Sequence, residues 1–142
     1  MVKYGIISSN GQGISMGNYM IRQYIGKNVY EAFLERMDFI FQEFDNIFVS
    51  FSGGKDSGLL LNMMLDFRNR YYPERHIGVF HQDFEAQYTV TSEYVQRTFE
   101  RLEQESNVEL FWVCLPMATR TCFSSYQMYW YPWDDKQQEI WI

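Results

Sequence analysis

Apolar residues recur at helical spacing through residues 29–44: Val29, Phe33, Met37, Ile40, Phe41 and Phe44, with Glu31, Glu35 and Arg36 among the polar positions between them. This period predicts an amphipathic helix, and Asn28 stands where its N-cap belongs. Asp45-Asn46 is a turn signal. The run IFVSF (47–51) is short and rich in β-branched and aromatic residues, which suits a buried parallel strand. Leu59 to Phe67 predicts a buried helix, ended by RNRYYPER with Pro73 as the breaker. HIGVF (76–80) predicts a second strand. Thr89 to Glu105 predicts a polar amphipathic helix carrying Tyr94, Val95, Phe99 and Leu102, and VELFWVCL (108–115) a third strand stopped by Pro116.

Strands that alternate with helices predict an α/β fold whose parallel sheet is joined by right-handed crossovers. Ligands of such sheets bind beyond the carboxyl ends of the strands. Two segments stand outside the alternation. Residues 1–27, in which KYGIISSNGQGISMGN (3–18) holds four of the nine glycines, predict a short strand followed by a flexible arm. Gly11 and Gly13 resemble the start of a dinucleotide fingerprint, but Met16 occupies the third glycine's position. The other segment, SSYQMYWYPWDDKQQEIWI, is aromatic-rich and has no clear period.

Composition narrows the class. In 142 residues, 46% hydrophobic and 19% aromatic content suffice for one domain with a core. A formal net charge of −6 argues against general duplex or membrane-surface binding, though not against a local cationic pocket. The only cysteines, Cys114 and Cys122, form no CxxC pair and fit a reducing compartment. The start of the chain lacks the apolar core of a signal peptide, and no apolar run reaches membrane-spanning length. The expected location is the cytoplasm.

The chemistry concentrates in SFSGGKDS (50–57), between the first main strand and a helix. Gly53 and Gly54 allow a sharp turn and close approach of a ligand to the backbone. The helix start offers unsatisfied N–H groups and a partial positive charge. Ser52 and Ser57 add hydroxyls, and Lys55 adds a mobile cation. Asp56 is costly beside an anion unless it caps the helix or holds a metal, for which magnesium on a triphosphate is the natural candidate. The GxxxxGK[ST] phosphate loop is excluded, because Val49 stands where its first glycine belongs and Lys55 is followed by Asp56. A plain Ser/Asp N-cap after a glycine turn is the simpler structural alternative.

SFSGGKDS resembles the PP-loop of the N-type ATP pyrophosphatases. That superfamily includes the ATP sulfurylase small subunit, phosphoadenylyl-sulfate (PAPS) reductases, GMP synthetase and tRNA thiolation enzymes. The wider stretch NVYEAFLERMDFIFQEFDNIFVSFSGGKDSG, with IGVFHQDFEAQY, is similar to a PAPS reductase-like branch that includes regulators of bacterial immunoglobulin-binding proteins. The resemblance covers residues 28–142, with 1–27 as a separate arm. It implies a three-layer, doubly wound parallel sheet of the adenine nucleotide α-hydrolase-like (HUP) type, here shortened. It also implies ATP or a related adenine nucleotide, with Mg²⁺, cleaved between the α- and β-phosphates to adenylate an acceptor. By position, Ser52, Gly53, Gly54, Lys55, Asp56 and Ser57 would hold the phosphates, with Lys55 and Asp56 catalytic and Asp56 on the metal. Phe51 would lie near the adenosine and Phe80 and His81 near the base. Asp83 and Glu85 would face the reactive side, although solvated loop acids are the plainer reading of these two.

The chain also departs from that pattern. The Glu-Cys-Gly-type motif of the reductases is absent, so thiol-dependent reduction is not expected. Cys114 reads as a core residue, and Cys122 follows Arg120 closely enough for a lowered pKa. His76 reads as a surface residue. Tyr126, Tyr129, Trp130, Tyr131, Trp133 and Trp141 would pack as an aromatic core or form a protein interface, through self-association or with a partner subunit. The chief alternative function is a shortened, non-catalytic nucleotide-binding module that works with a regulatory partner. An interaction protein that keeps the fold without a ligand is the third.

Overall fold

The computed structural model describes residues 4–5, 26–121 and 124–141. Helix α1 spans Val29–Glu43 and opens on the expected cap. Asn28 Oδ1 accepts from the Glu31 N–H (2.9 Å), and the Asn28 N–H donates to Glu31 Oε2 (3.0 Å), a reciprocal capping box. Its carboxyl end is closed by a residue from beyond the next helix. Arg75 donates to the carbonyls of Phe41 (2.6 Å), Phe44 and Asp45 (3.2 Å), placing a cation where helix carbonyls are unsatisfied.

Strand β2 (Asn46–Ser50) leads through the glycine turn into α2 (Lys55–Tyr71). The helix is longer than its apolar run suggests, because it begins inside the SGGKDS motif and continues through Arg70. Strand β3 (Ile77–Gln82), helix α3 (Thr89–Leu102) and strand β4 (Val108–Val113) follow in the expected order. All pairings among β2, β3 and β4 are parallel, with Val49 opposite Val79 and Val79 opposite Leu110. The two-residue strand β1 (Tyr4–Gly5) adds to the other side of β2, giving the order β1-β2-β3-β4. The rest of the predicted N-terminal arm lies outside the described residues.

Alternation along these strands sends Ile47, Val49 and Phe51 to one face, together with Ile77, Val79 and His81. The same core takes Met37, Ile40 and Phe41 from α1, Leu61, Met64, Leu65 and Phe67 from α2, and Val95, Phe99 and Leu102 from α3. Burying each such side chain contributes about 1.5–3 kcal/mol. Arg68 joins this interior as a buried cation. Its Nη1 donates to the Ser106 carbonyl (2.6 Å), tying the end of α2 to the loop before β4.

The opposite face is not covered by a helix among the described residues. Phe48 and Phe111 remain 39% and 38% exposed there, and their rings meet at 5.5 Å. Gly78 lies beneath them, where a Cβ would fall 2.2 Å from Phe48 Cδ1. The described layers are therefore two, sheet and helices, and the second helical layer of a doubly wound sheet is not among them. The reason is topological. Each strand is added on the same side of the last, and right-handed crossovers then put every connecting helix on one face.

After β4 the chain forms a small antiparallel pair, β5 (Thr119–Arg120) with β6 (Tyr129–Trp130), and a 3₁₀ segment over Asp135–Ile140. The aromatic tail does not form a core. Tyr126, Tyr129, Tyr131 and Trp141 are exposed and Trp130 and Trp133 are half-buried. Among the described residues no helix is long and apolar enough to cross a membrane.

Candidate functional site

The SGGKDS turn lies at the carboxyl end of β2, beside β3, and at the amino end of α2. Phe51 anchors its entry. The Phe51 N–H donates to the Phe80 carbonyl (2.8 Å). The Phe51 carbonyl lies 2.8 Å from His81 Nδ1; a carbonyl only accepts, so that nitrogen carries the proton. The Phe51 ring packs edge-on against Tyr94 of α3 at 5.9 Å.

Within the turn, two hydroxyls brace the backbone. Ser52 Oγ and Ser57 Oγ are 3.0 Å apart. Ser57 Oγ donates to the Gly54 carbonyl at 3.0 Å and accepts from the Ser52 N–H at 3.3 Å. The two glycines have different duties. Gly53 has φ +79°, and a Cβ on it would sit 2.8 Å from Val95 Cγ2 and 2.9 Å from Thr91 Cγ2. It supplies both the left-handed conformation and the close seat of the turn against α3. Gly54 is the extended N-cap of α2 at φ −81°, and its Cβ position meets nothing nearer than Ser52 Oγ at 3.4 Å.

Gly54 has no side chain to cap the helix, and the first bond of α2 runs from the Gly58 N–H to the Gly54 carbonyl (3.0 Å). The amides of Lys55, Asp56 and Ser57 thus have no acceptor within the helix. Asp56 lies in the first turn but does not cap it. That disposes of the cap alternative for Asp56: the N-cap position went to Gly54, whose extended backbone leads directly into the helix. Lys55 and Asp56 are exposed, and neither makes an ion pair or side-chain hydrogen bond with another described residue. Among the described residues no three His, Cys, Asp or Glu side chains gather as a metal cluster. Magnesium generally takes one or two carboxylates plus ligand phosphates, and the single carboxylate of Asp56 matches that donor set.

Several expected contacts are displaced. Phe51 and His81, each 1% exposed, face the helix-covered core, so neither side chain presents itself to a nucleoside. Strand alternation put them there, because both share the face of Val49 and Val79. His81 instead positions the turn through the Phe51 carbonyl. Phe80 points to the opposite, open face and is half-buried. Asp83 is half-buried and both its carboxylate oxygens are engaged: Oδ2 accepts from Trp112 Nε1 (2.9 Å) and Oδ1 from the Glu85 N–H (2.7 Å). Glu85 Oε2 accepts the Trp133 N–H at 2.8 Å. Both acids therefore serve structure rather than standing free at a reactive side.

Other residues come forward that periodicity could not single out. The β3–α3 loop forms an open hollow lined by Phe84, Ala86, Gln87, Tyr88 and Thr91. Thr91 also touches the seat of Gly53, so hollow and turn share a wall. Phe84 and Tyr88 are exposed aromatics there. The motif FEAQY carried that signal, since two aromatics flank the loop just past a strand end.

Cys114 is not a core residue. It follows β4 and is exposed as a residue, while neighbouring atoms displace part of the water around its thiol. That burial, then the Asp83 carboxylate, raises the thiol's pKa, against a Trp112 contact that lowers it. Cys122 lies outside the described residues. His76 is on the surface, as expected, 4.0 Å from Glu109.

The fold defines the chain as an α/β protein with a parallel sheet and a polar glycine turn at the carboxyl end of one of its strands. The Escherichia coli (strain K12) protein YbdN, described as uncharacterized, is 36% identical over 107 residues. The match takes in 75% of this chain and 26% of that protein, so the chain spans about a quarter of the length of this curated relative. No family model matches the chain. No solved structure shows significant similarity to it.

Proposed function

We propose that this chain is a PP-loop-type, PAPS reductase-like domain that binds ATP or a related adenine nucleotide with Mg²⁺. The observation that carries the reading is the joint exposure of Lys55 and Asp56 over the uncapped amides of the first α2 turn. Those amides and Lys55 would take phosphate oxygens, as would the Ser52 and Ser57 hydroxyls after exchanging their mutual contact. Asp56 would hold the metal, which supplies charge neutralisation across the phosphates. The hollow beside Thr91 would receive the base against Phe84 and Tyr88. Such an arrangement suits attack of an acceptor oxyanion on the α-phosphorus with pyrophosphate as leaving group. Positioning and charge neutralisation carry that transfer, and an oxyanion nucleophile needs no general base. In this reading the face bearing Phe48, Phe80 and Phe111 is the one that a HUP-type sheet covers with its second helical layer.

Calorimetry and thermal shift with ATP, AMP, adenylyl sulfate and PAPS, each with and without Mg²⁺, test the proposal. A ligand at 100 times its Kd stabilises the fold by about 2.7 kcal/mol. Absence of heat and of any melting shift with every nucleotide refutes it. The open aromatic face favours a second reading, a non-catalytic nucleotide-binding module docked to a partner or a second copy. Binding of ATP without release of pyrophosphate would select that reading.

A further inference from the structure

Three described residues other than glycine have a positive φ: Glu85 (63°), Asn107 (60°) and Trp133 (55°). Asparagine tolerates that conformation; glutamate and tryptophan do so only when their surroundings hold them. Glu85 and Trp133 hold each other, although 48 residues separate them. The Trp133 N–H donates to Glu85 Oε2 at 2.8 Å, and Trp133 Nε1 donates to the Asp83 carbonyl at 3.1 Å. Behind Trp133, the 3₁₀ segment returns Trp141 onto its ring at 5.6 Å, with Trp141 Nε1 donating to the Asp134 carbonyl at 3.2 Å.

What these contacts hold is the floor of the hollow. Glu85 is the centre of a three-residue turn closed by the Ala86 N–H on the Phe84 carbonyl at 2.7 Å. The turn is a strained one when its central φ is positive. Phe84 and Ala86, which flank it, both line the hollow, as do Gln87 and Tyr88 just beyond. The near end of the loop is fixed to β4 by the Asp83 N–H on the Val113 carbonyl (2.9 Å) and by Trp112 on Asp83. Within the loop, Asp83 Oδ1 accepts from the Glu85 N–H (2.7 Å) and from Gln87 Nε2 (3.4 Å), and Trp133 adds a constraint from a segment distant in sequence.

We propose that the C-terminal segment 131–141, acting through Trp133 on Glu85 and Asp83, positions the β3–α3 loop and thereby sets selectivity for a nucleoside triphosphate over a bare triphosphate. The inference rests on the nucleotide reading given above. Trp133 is a positioning residue here, because it acts through Glu85. Replacing its side chain deletes the Nε1 bond to the Asp83 carbonyl and the ring contact with Trp141, which together seat the Trp133 backbone N–H on Glu85. The turn then relaxes and Phe84 and Tyr88 spread, while the SGGKDS turn keeps its own bracing by Ser52, Ser57 and Val95.

The test measures Kd for MgATP and for magnesium tripolyphosphate on the full chain. Variants are Trp133→Ala, Glu85→Gly and Glu85→Gln, and amide exchange across 83–91 is followed without ligand. A base stacked on aromatic side chains strengthens binding by about tenfold or more, so the intact protein should prefer ATP by that factor. Trp133→Ala and Glu85→Gly should erase the preference and leave tripolyphosphate affinity unchanged. Glu85→Gln should retain it, since its amide oxygen can accept the same N–H. Exchange at Glu85, Ala86 and Gln87 should rise in Trp133→Ala. An undiminished preference, or a parallel fall in tripolyphosphate affinity, overturns the inference. If the intact chain binds neither ligand, the nucleotide reading fails on its own. Unchanged exchange protection in Trp133→Ala then overturns the positioning role separately.

Discussion

Gly53→Ala tests whether the turn is seated as described. Two costs follow from the geometry. At φ +79° an alanine meets the steric penalty of the left-handed region, about 1–2 kcal/mol. Its Cβ would also lie 2.8 Å from Val95 Cγ2 and 2.9 Å from Thr91 Cγ2. Both neighbours are β-branched and stiff at χ1, and Val95 is fully buried, so neither gives way freely. Overpacking of this kind costs about 1–3 kcal/mol. Together the loss is about 2–5 kcal/mol, less at most about 1 kcal/mol from alanine's smaller unfolded-state entropy. Urea unfolding by far-UV circular dichroism measures it. With a slope of about 2 kcal/mol per M, the midpoint should fall by roughly 1–2 M. Adding Val95→Ala to Gly53→Ala should recover Val95's share of the steric part, leaving the Thr91 contact and the backbone part, and give a favourable coupling of about 1 kcal/mol in a double-mutant cycle. A single-variant loss under about 0.5 kcal/mol, with the slope unchanged, would refute the seat of Gly53 against α3.

Gly54→Ala should change the unfolding free energy from urea titration by no more than about 1 kcal/mol, because its Cβ meets only Ser52 Oγ at 3.4 Å and Ser57 Oγ at 4.0 Å; weaker ATP binding by calorimetry would mark this side as the ligand's approach. Lys55→Ala should lower ATP affinity about tenfold by removing an exposed cation, with no change in melting temperature. Asp56→Asn should flatten the dependence of ATP affinity on Mg²⁺ concentration; an unchanged dependence would remove Asp56 as a metal ligand. Cys114 should alkylate more slowly at pH 7 to 8 than the same thiol in the unfolded chain, since its raised pKa leaves less thiolate there. The deficit should shrink as pH climbs past that pKa and in Asp83→Asn, read by peptide mapping; equal rates would refute the cause assigned.

The order of helices and strands was legible because each main segment carries its own period. The α1 stripe, the short β-branched runs and the amphipathic α3 pattern depend on local spacing. The position of SGGKDS at a strand end and helix start was legible for the same reason. Face assignment was less so. Buried parallel strands read as continuous apolar runs, so nothing local says that His81 turns inward with Val79 while Phe80 turns outward. The α2 limits were blurred because Lys55 and Asp56 open the helix with no apolar period to announce it.

Other features depend on residues far apart in the chain. The C-cap of α1 comes from Arg75, the anchor of Asp83 from Trp112, and the partner of Glu85 from Trp133. None of these residues bears a local signature of its partner. A side-chain hydrogen bond constrains a distance in space, and the fold alone brings such positions together. Composition and motif alone could raise a phosphate turn as a question. The packing of α3 against Gly53, and of the tail against the β3–α3 loop, required the assembled chain. Those contacts arise from crossover handedness and strand alternation acting on the whole sheet, which no single window of sequence contains.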